Sequence, residues 1–382
     1  MRYVYNSSGH ELKIPDIVKS KGIYITDSSG KKYMDLESGV WCLSLGHRNE
    51  RINRTILKQI SILTQAGFCY SCKIVDQAAH TVLSTLKMED GKAVFLCSGS
   101  EGIEYTRQVA KHLTGKTLSM TLHDSYLGAY SSVSKRDKDW FCLDWTDCAD
   151  CERKESCDEN CPLLKQIPED ISDFIFEPGS SSGLVRFPPK PLIQKIVKII
   201  RNNGGKIIVN EVTTGIGRTG KWYGFMHFDI SPDMVALGKG IGNGYPVSAA
   251  CMSKEIILQL EQRPFKYTQS HQNDPLGASV AREVIQTIID EGLIEKANRM
   301  GRDFLPLLNS LVDGKKITKV RGRGLMFAID FKDSKFSEEV YIKLLSEGYI
   351  TGNRGTSLRI DPPLIITELD FEKFVDKLKE II

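Results

Sequence analysis

Short apolar runs alternate with longer stretches of helical periodicity along most of the chain. Each run is bounded by glycine, proline or charged residues, which is typical of β-strands. In the stretches between them, such as residues 101–113 and 191–203, apolar positions recur at the spacing of one helix face. Apolar strands separated by helices predict an α/β fold with a mostly parallel sheet covered by helices. The predicted strands span residues 93–97, 117–122, 173–177, 206–210, 234–238 and 247–251.

The two ends of the chain show a different pattern. Residues 22–39 predict a β-hairpin that turns near Ser29. Beyond about residue 300, helix and strand patterns alternate again and finish in a helix over residues 368–381. These patterns predict a large domain and a small α+β domain that is built from both chain ends. The predicted boundaries are residues 46–290 for the large domain and residues 1–45 plus 291–382 for the small domain.

The charge balance and the length of the apolar runs exclude several classes of protein. Lys plus Arg total 51 and Asp plus Glu total 48, so the formal net charge is only +3. This balance does not favour binding to nucleic acid or to an anionic membrane surface. No apolar run approaches the roughly 20 residues of a membrane span, and the first residues lack the apolar segment of a signal peptide. We therefore expect a cytoplasmic protein with neither a nucleic-acid partner nor a membrane partner.

Small and polar residues follow several of the predicted strands. Ser98, Gly99 and Ser100 place free backbone N–H groups at the start of a helix, where a phosphate is favoured. A single turn of this kind is also explained by ordinary helix capping. Lys239 follows another strand among four glycines, at the sheet edge where ligands bind in α/β folds, although an exposed loop lysine is the alternative. Asn210 ends a third strand at the same edge.

A phosphate site, a lysine amine and a polar group at one sheet edge would suit pyridoxal phosphate. The lysine of such a site forms a Schiff base with the cofactor. The cofactor ring acts as an electron sink and needs a protein partner at its nitrogen. Pyridoxal phosphate is therefore the cofactor that this combination of residues predicts.

Seven segments, in chain order, resemble the motifs of one enzyme family. They are residues 25–47, 98–116, 125–128, 176–178, 210–246, 320–331 and 358–367. The chain is similar in these segments to the class III aminotransferases of the ω-amine and ornithine type, which are pyridoxal-phosphate enzymes of fold type I. The resemblance implies transfer of an amino group between an amino acid or ω-amine and a 2-oxo acid. It also implies a homodimer with shared active sites.

The resemblance assigns a role to individual residues. Lys239 would form the Schiff base and carry the proton during catalysis. Arg359 would bind a substrate carboxylate, and Trp41 would line the substrate side. Ser270 falls where the family has a threonine that reaches the phosphate of the partner subunit. The residues that would contact the cofactor are Ser98, Gly99, Ser100, Tyr126, Glu177, Asn210, Val212, Lys239 and Ser270.

Four positions depart from the family pattern. Asn210 replaces an aspartate that keeps the ring nitrogen protonated, so the ring should be a poorer electron sink. Thr213, Leu127 and Ser182 replace a glutamine, a histidine and a glutamate that gates the carboxylate-binding arginine. The alternative to an aminotransferase is a racemase, epimerase or aminomutase on the same scaffold. A catalytically silent metal-binding scaffold is a third hypothesis, against which the presence of Lys239 argues.

Five of the ten cysteines fall in residues 142–161, a segment that has no counterpart in the family pattern and is interpreted as an insertion. Cys148, Cys151, Cys157 and Cys161 resemble a four-thiolate site for zinc, or for an iron–sulfur cluster. Cys142 is then not a ligand of that site. Reduced thiols in a charged surface loop are an equally good interpretation.

Overall fold

The elements of the fold follow the predicted alternation of strands and helices. The computed structural model describes residues 3–9, 11–158, 160–182 and 184–382. The strands in these residues are β1 (Ile17–Lys21), β2 (Tyr24–Asp27), β3 (Lys32–Asp35), β4 (Lys92–Leu96), β5 (Leu118–Leu122), β6 (Trp140–Leu143), β7 (Ile171–Phe176), β8 (Lys206–Asn210), β9 (Met234–Leu237), β10 (Ser248–Met252), β11 (Ile317–Arg323), β12 (Met326–Phe331), β13 (Tyr349–Ile350), β14 (Gly352–Arg354) and β15 (Ser357–Ile360). The helices of two turns or more are α1 (Glu50–Ile60), α2 (Lys73–Leu86), α3 (Gly99–Thr114), α4 (Lys190–Asn202), α5 (Lys254–Gln262), α6 (Pro275–Asp290), α7 (Leu293–Asn309), α8 (Ser334–Ser346) and α9 (Glu368–Ile381).

A seven-stranded sheet forms the centre of the molecule, in the order β4-β10-β9-β8-β7-β5-β6. Strand β10 runs antiparallel to β4 and β9, while the other neighbouring strands are parallel. Because both of its pairings are antiparallel, β10 is the one reversed strand, and the remaining six end at the same edge. The predicted α/β fold with a mostly parallel sheet is confirmed.

Helices cover both faces of this sheet, which explains why its strands are apolar throughout. Along β8, Ile207 and Val209 belong to one buried cluster and Ile208 belongs to another. Successive side chains of a strand point to opposite faces, so the two clusters lie on opposite sides of the sheet. Helix α4 packs its apolar side chains in the first cluster, and helix α3 packs in the second.

The N-terminal hairpin and the C-terminal segment meet in a second sheet. Strands β2 and β3 pair antiparallel on either side of the predicted turn, and β13 pairs in parallel with β3. A third sheet has the order β11-β12-β15-β14. The two chain ends are thus joined by hydrogen bonds, while the domain boundaries at residues 45 and 290 stay a prediction.

One strand of the central sheet was missed. Strand β6 forms the edge of the sheet beside β5, with Trp140 and Leu143 buried and Cys142 exposed. This short, half-exposed strand lacks the continuous apolar run by which the others were recognised. Among the residues that the structure describes, no helix combines the length and the apolar character needed to cross a membrane.

Candidate active site

A cavity of about 360 Å³ opens at the edge where the parallel strands end. Residues that follow β4, β5, β7, β8 and β9 line it, because parallel strands bring their carboxyl ends to one edge of a sheet. Eight of the nine predicted cofactor-contacting residues are among the lining residues, namely Ser98, Gly99, Ser100, Tyr126, Glu177, Asn210, Val212 and Lys239. Ser270 is the exception.

The start of helix α3 forms one end of the cavity. Ser98 caps the helix: its hydroxyl accepts from the Glu101 N–H at 3.3 Å, and the Glu101 carboxylate accepts from the Ser98 N–H at 3.1 Å. Capping and ligand binding are compatible here, since the cap uses the Glu101 N–H and leaves the N–H groups of Gly99 and Ser100 for a ligand. A Cβ atom on Gly99 would lie 2.7 Å from the methyl groups of Val212. Glycine at this position therefore lets the helix start approach the opposite wall of the cavity.

Lys239 follows β9 and lies in a buried part of the cavity. Burial lowers the pKa of its amine, while Glu177 and Cys42 act in the opposite direction. Its backbone has a φ of 46°, which is unusual for a residue with a side chain. The Nζ atom lies 5.5 Å from the centre of the Trp41 ring. A buried amine that loses its proton more easily is suited to act as a nucleophile.

Asn210 is held by two hydrogen bonds that determine the orientation of its amide. Its Oδ1 atom accepts from the Val212 N–H at 3.1 Å, and its Nδ2 group donates to the Tyr126 carbonyl at 2.9 Å. An amide NH₂ group has two protons, so one remains for a further acceptor. An ionised aspartate could not donate to the Tyr126 carbonyl, so the amide is matched to its surroundings.

Glu177 is the only acidic residue among the described residues that line this cavity. Its carboxylate accepts from the Tyr126 N–H at 2.8 Å and from the Ser181 N–H at 3.2 Å, and it also accepts from the Ser181 hydroxyl. Burial raises the pKa of Glu177 to about 7, although these hydrogen bonds oppose the rise. Glu177 and Asn210 thus hold the backbone of Tyr126 through hydrogen bonds to its N–H and its carbonyl.

Arg359 and Trp41 lie next to the cavity without lining it. The Arg359 guanidinium is ion-paired with Glu37 and lies 2.9 Å from the carboxylate of Asp361. The centre of the Trp41 ring lies 3.9 Å from the Arg359 Cζ atom. Burial raises the pKa of Glu37, and Arg359 opposes that rise. Sequence reasoning missed both carboxylates, and only Asp361, which directly follows the strand β15 that carries Arg359, could have been recognised from its position.

Trp41 ends a single left-handed turn. Residues Ser38, Gly39, Val40 and Trp41 have φ values of 51°, 54°, 59° and 63°. A residue with a side chain loses roughly 1–2 kcal/mol in this conformation. The turn is held because the Trp41 N–H donates to the Glu37 carbonyl at 2.9 Å and the Ser38 hydroxyl donates to the Asp361 carbonyl. The strained turn places the Trp41 ring against the guanidinium of Arg359.

Ser270 is exposed, and its carbonyl accepts from Gln65 Nε2 at 2.6 Å. The single chain does not bring it to the cavity. Cys42 and Ser181 do line the cavity, and sequence reasoning gave neither of them a role there; Thr213, which replaces a family glutamine, lines it as well. The Thr213 hydroxyl is buried without a hydrogen-bond partner, which leaves it free for a ligand.

The cysteines of residues 148–161 lie around a second, smaller cavity. Cys148, Cys151, Cys157 and Cys161 all line it. Burial raises the pKa of Cys148 to about 11, and the nearby thiols of Cys161, Cys151 and Cys157 add to the rise. Within the described ranges, no group of three or more His, Cys, Asp or Glu side chains is arranged as a ready metal site. The expectation of zinc therefore finds no support in the placement of these side chains.

The fold is that of a fold type I transferase. A sequence model of the family "Aminotransferase class-III" matches residues 4–139 and 142–382. The chain belongs to this family. The predicted family, fold class and enzyme class are therefore confirmed, whereas the roles of individual residues stay predictions.

Individual relatives agree with this assignment. An acetylornithine aminotransferase of Aquifex aeolicus is 27% identical over 372 residues, which cover 96% of this chain and 96% of that protein. A solved aminotransferase of Bacillus anthracis has a TM-score of 0.91 at 22% identity, covering 100% of this chain and 96% of that one. A taurine:2-oxoglutarate aminotransferase of Bifidobacterium kashiwanohense, solved with PLP and glutamate, has a TM-score of 0.89 at 23% identity, with coverages of 100% and 95%. At these identities the two solved structures indicate the fold alone.

Proposed function

We propose that this aminotransferase depends on pyridoxal phosphate and moves an amino group between an amino acid or ω-amine and a 2-oxo acid. One observation carries the proposal: the buried Lys239 amine shares a cavity of about 360 Å³ with the start of helix α3 and with Asn210. This arrangement provides a nucleophilic amine, a site for an anion and a hydrogen-bond partner for a ring nitrogen.

The cavity residues fit the cofactor. Gly99 and Ser100 would bind the phosphate through first-turn N–H groups. Tyr126 and Val212 would contact the two faces of the ring, and the free hydroxyl of Thr213 gives a polar group near it. When bound, pyridoxal phosphate supplies an electron sink for the charge that develops when the substrate loses a proton.

Lys239 would then act as the proton carrier. Its lowered pKa makes the amine easier to deprotonate, and the neutral amine can take a proton from the substrate Cα atom and return it. The Glu177 carboxyl influences this amine electrostatically and itself changes protonation near pH 7. We assign Glu177 a positioning role, because its hydrogen bonds are to Tyr126 and Ser181.

The substrate would carry a carboxylate that binds Arg359. A guanidinium group binds a carboxylate through two parallel hydrogen bonds. Glu37 occupies this guanidinium, so a substrate carboxylate must displace it. Trp41 supplies an apolar surface between Arg359 and Lys239 for a substrate side chain.

The active unit would be a homodimer. Ser270 is exposed outside the cavity, as a residue that reaches into a partner subunit would be. The segment of residues 57–70, which contacts the Ser270 carbonyl through Gln65, exposes several large apolar side chains, which are typical of a protein interface. They are Leu57, Ile62, Phe68 and Tyr70. The ten free cysteines favour the reducing environment of the cytoplasm.

A second candidate reaction is racemisation, epimerisation or an aminomutase reaction on the same scaffold. Asn210 favours it, because a neutral amide gives the cofactor ring no negative partner. Both reactions require Lys239, and they differ in whether the amino group leaves the donor.

The test supplies the protein with pyridoxal phosphate and a panel of amino acids and ω-amines, and measures amino transfer to a 2-oxo acid. We expect transfer by the wild type, loss of turnover in Lys239→Ala and unchanged turnover in the control Lys254→Ala, whose side chain is exposed outside the cavity. Stereochemical inversion of a donor without transfer would support the second candidate. Substantial turnover by Lys239→Ala would contradict both.

A further inference from the structure

The connection from β6 to β7 is unusually long and irregular. It covers residues 144–170, and in its described residues the helical structure is limited to 3₁₀ turns at Thr146–Ala149 and Leu164–Gln166. Connections longer than about 12–15 residues without regular structure are uncommon in compact domains and are usually functional or disordered. The middle of this one is held by short turns, such as Lys154 N–H to the Cys151 carbonyl at 3.1 Å. Backbone hydrogen bonds therefore do not explain what holds this connection in its conformation.

Four thiols in this connection converge on one place. Cys148, Cys151, Cys157 and Cys161 line a cavity of about 40 Å³. A space of this size holds one or a few atoms. None of the four forms a disulfide. Three of them, Cys148, Cys157 and Cys161, also pack against the main apolar cluster, so the thiols are anchored to the core.

The charges around the small cavity suit a bound anionic complex. Arg153 and Lys154 line it beside the four thiols. Arg153 lies 3.7 Å from Asp158, and the Lys154 ammonium donates to the Ala149 carbonyl at 3.2 Å. A divalent cation bound by four thiolates has a net charge of −2. The two basic side chains would offset that charge in part, because the carboxylate of Asp158 also lines the cavity.

We propose that Cys148, Cys151, Cys157 and Cys161 bind a metal centre through four thiolates. For a divalent ion the step is balanced by proton release: one cation binds, four S–H bonds break, and four protons leave to solvent. Thiolates select zinc, ferrous iron and iron–sulfur clusters over cations that prefer oxygen ligands. The four thiolates therefore define the class of metal centre. Analysis for zinc, iron and sulfide identifies which centre of that class is bound.

The protonated thiols are not in a coordinating arrangement. Neutral S–H groups have no cation to draw them together, and deprotonation accompanies metal binding. A cysteine side chain moves between staggered rotamers by a single torsion, so the positions of the four sulfur atoms can change when a metal binds.

The centre would be structural. None of the four cysteines lines the cavity that contains Lys239. Asp150, between the first two ligands, lies 3.4 Å from Lys319 on strand β11. A metal that fixes this connection would therefore also hold it against the third sheet. The proposal does not depend on the transamination proposal, because metal content is measured without turnover.

The experiment measures zinc, iron and acid-labile sulfide in protein purified anaerobically from cells grown with both metals. We expect at least about one metal atom per chain. Zinc, or iron without sulfide, identifies a single ion, and iron with sulfide identifies a cluster; both support the proposal. The variant Cys148→Ser/Cys157→Ser should lose at least nine-tenths of the metal. The control Cys142→Ser, an exposed cysteine six residues away that does not line the small cavity, should retain it.

A second readout uses the wild-type protein alone. Removal of the metal by a chelator should add four thiols to those that react rapidly with a thiol reagent, and protease should then cut within residues 146–163. Less than about 0.1 metal atom per chain in the anaerobic wild type would overturn the proposal. Full metal content in the double variant would overturn it as well.

Discussion

Replacing Asn210 by aspartate tests how the cofactor cavity is built. Asn210 is only 3% exposed, and its amide donates to the Tyr126 carbonyl at 2.9 Å. An aspartate at this position would place a carboxylate oxygen against that carbonyl, where both groups are acceptors. The hydrogen bond from the Val212 N–H would survive. We therefore expect Asn210→Asp to destabilise the cofactor-free protein when the new carboxyl is ionised.

The magnitude follows from Glu177, a carboxyl in the same cavity. Its pKa is raised from 4.5 to about 7 even though it accepts several hydrogen bonds. A pKa rise of this size corresponds to roughly 3 kcal/mol of folding free energy. Residue 210 would have fewer donors, so about 3 kcal/mol is the expected loss at pH 8.5. Because the folded-state pKa lies above the unfolded value of about 3.9, the loss begins near pH 4 and is complete above the folded-state pKa.

The assay is urea unfolding of the cofactor-free protein at pH 5.5 and pH 8.5. The difference in urea midpoint between Asn210→Asp and wild type should be larger at pH 8.5 than at pH 5.5. The control is Asn202→Asp, at the exposed end of α4, whose urea midpoint should stay close to that of wild type at both pH values. Saturation with pyridoxal phosphate should narrow the difference, because a protonated ring nitrogen can pair with the new carboxylate. Equal midpoints for Asn210→Asp and wild type at both pH values would refute the reasoning.

Two further predictions concern the carboxylates of Glu177, which lines the cavity, and Glu37, which pairs with Arg359. Glu177→Gln should keep the contacts of this side chain with Tyr126 and Ser181. It should also remove an inflection near pH 7 from the pH profile of activity, because Glu177 changes protonation there. An inflection that remains in the variant would assign that proton to another group. Ionisation of Glu177 costs stability as pH rises from about 4.3 towards 7, so the variant should gain up to roughly 3 kcal/mol over wild type by pH 8.5, measured by urea unfolding. Glu37→Gln should lower the KM for a 2-oxo acid roughly tenfold, with a smaller change in kcat, because the substrate carboxylate no longer displaces an anion from Arg359. An unchanged KM in steady-state assays would show that Arg359 does not bind that carboxylate.

The cavity could be located from the sequence because it depends on local patterns. Strand β8 was predicted to its exact end residues, since an apolar run stops at polar Asn210. Once the sheet is parallel, residues that follow its strands must meet at one edge. The positions of Ser98, Lys239 and Asn210 in one cavity follow from that rule.

The interactions around these residues could not be predicted in the same way. Glu37 and Arg359 pair across 322 positions of sequence, and Asn210 and Tyr126 pair across 84. Which carboxylate pairs with Arg359, and how the Asn210 amide is oriented, depends on contacts that form only in the folded chain. The left-handed turn that carries Trp41 was also missed, because residues with side chains rarely adopt it.

The central claim is that Lys239 is the lysine that binds the cofactor. The most direct measurement is reduction of the pyridoxal-phosphate-loaded protein with borohydride, followed by peptide mass spectrometry to locate the covalent label. The account predicts one stoichiometric pyridoxyl group on Lys239 and none in Lys239→Ala. A label on another lysine, or equal labelling of the variant, would contradict it.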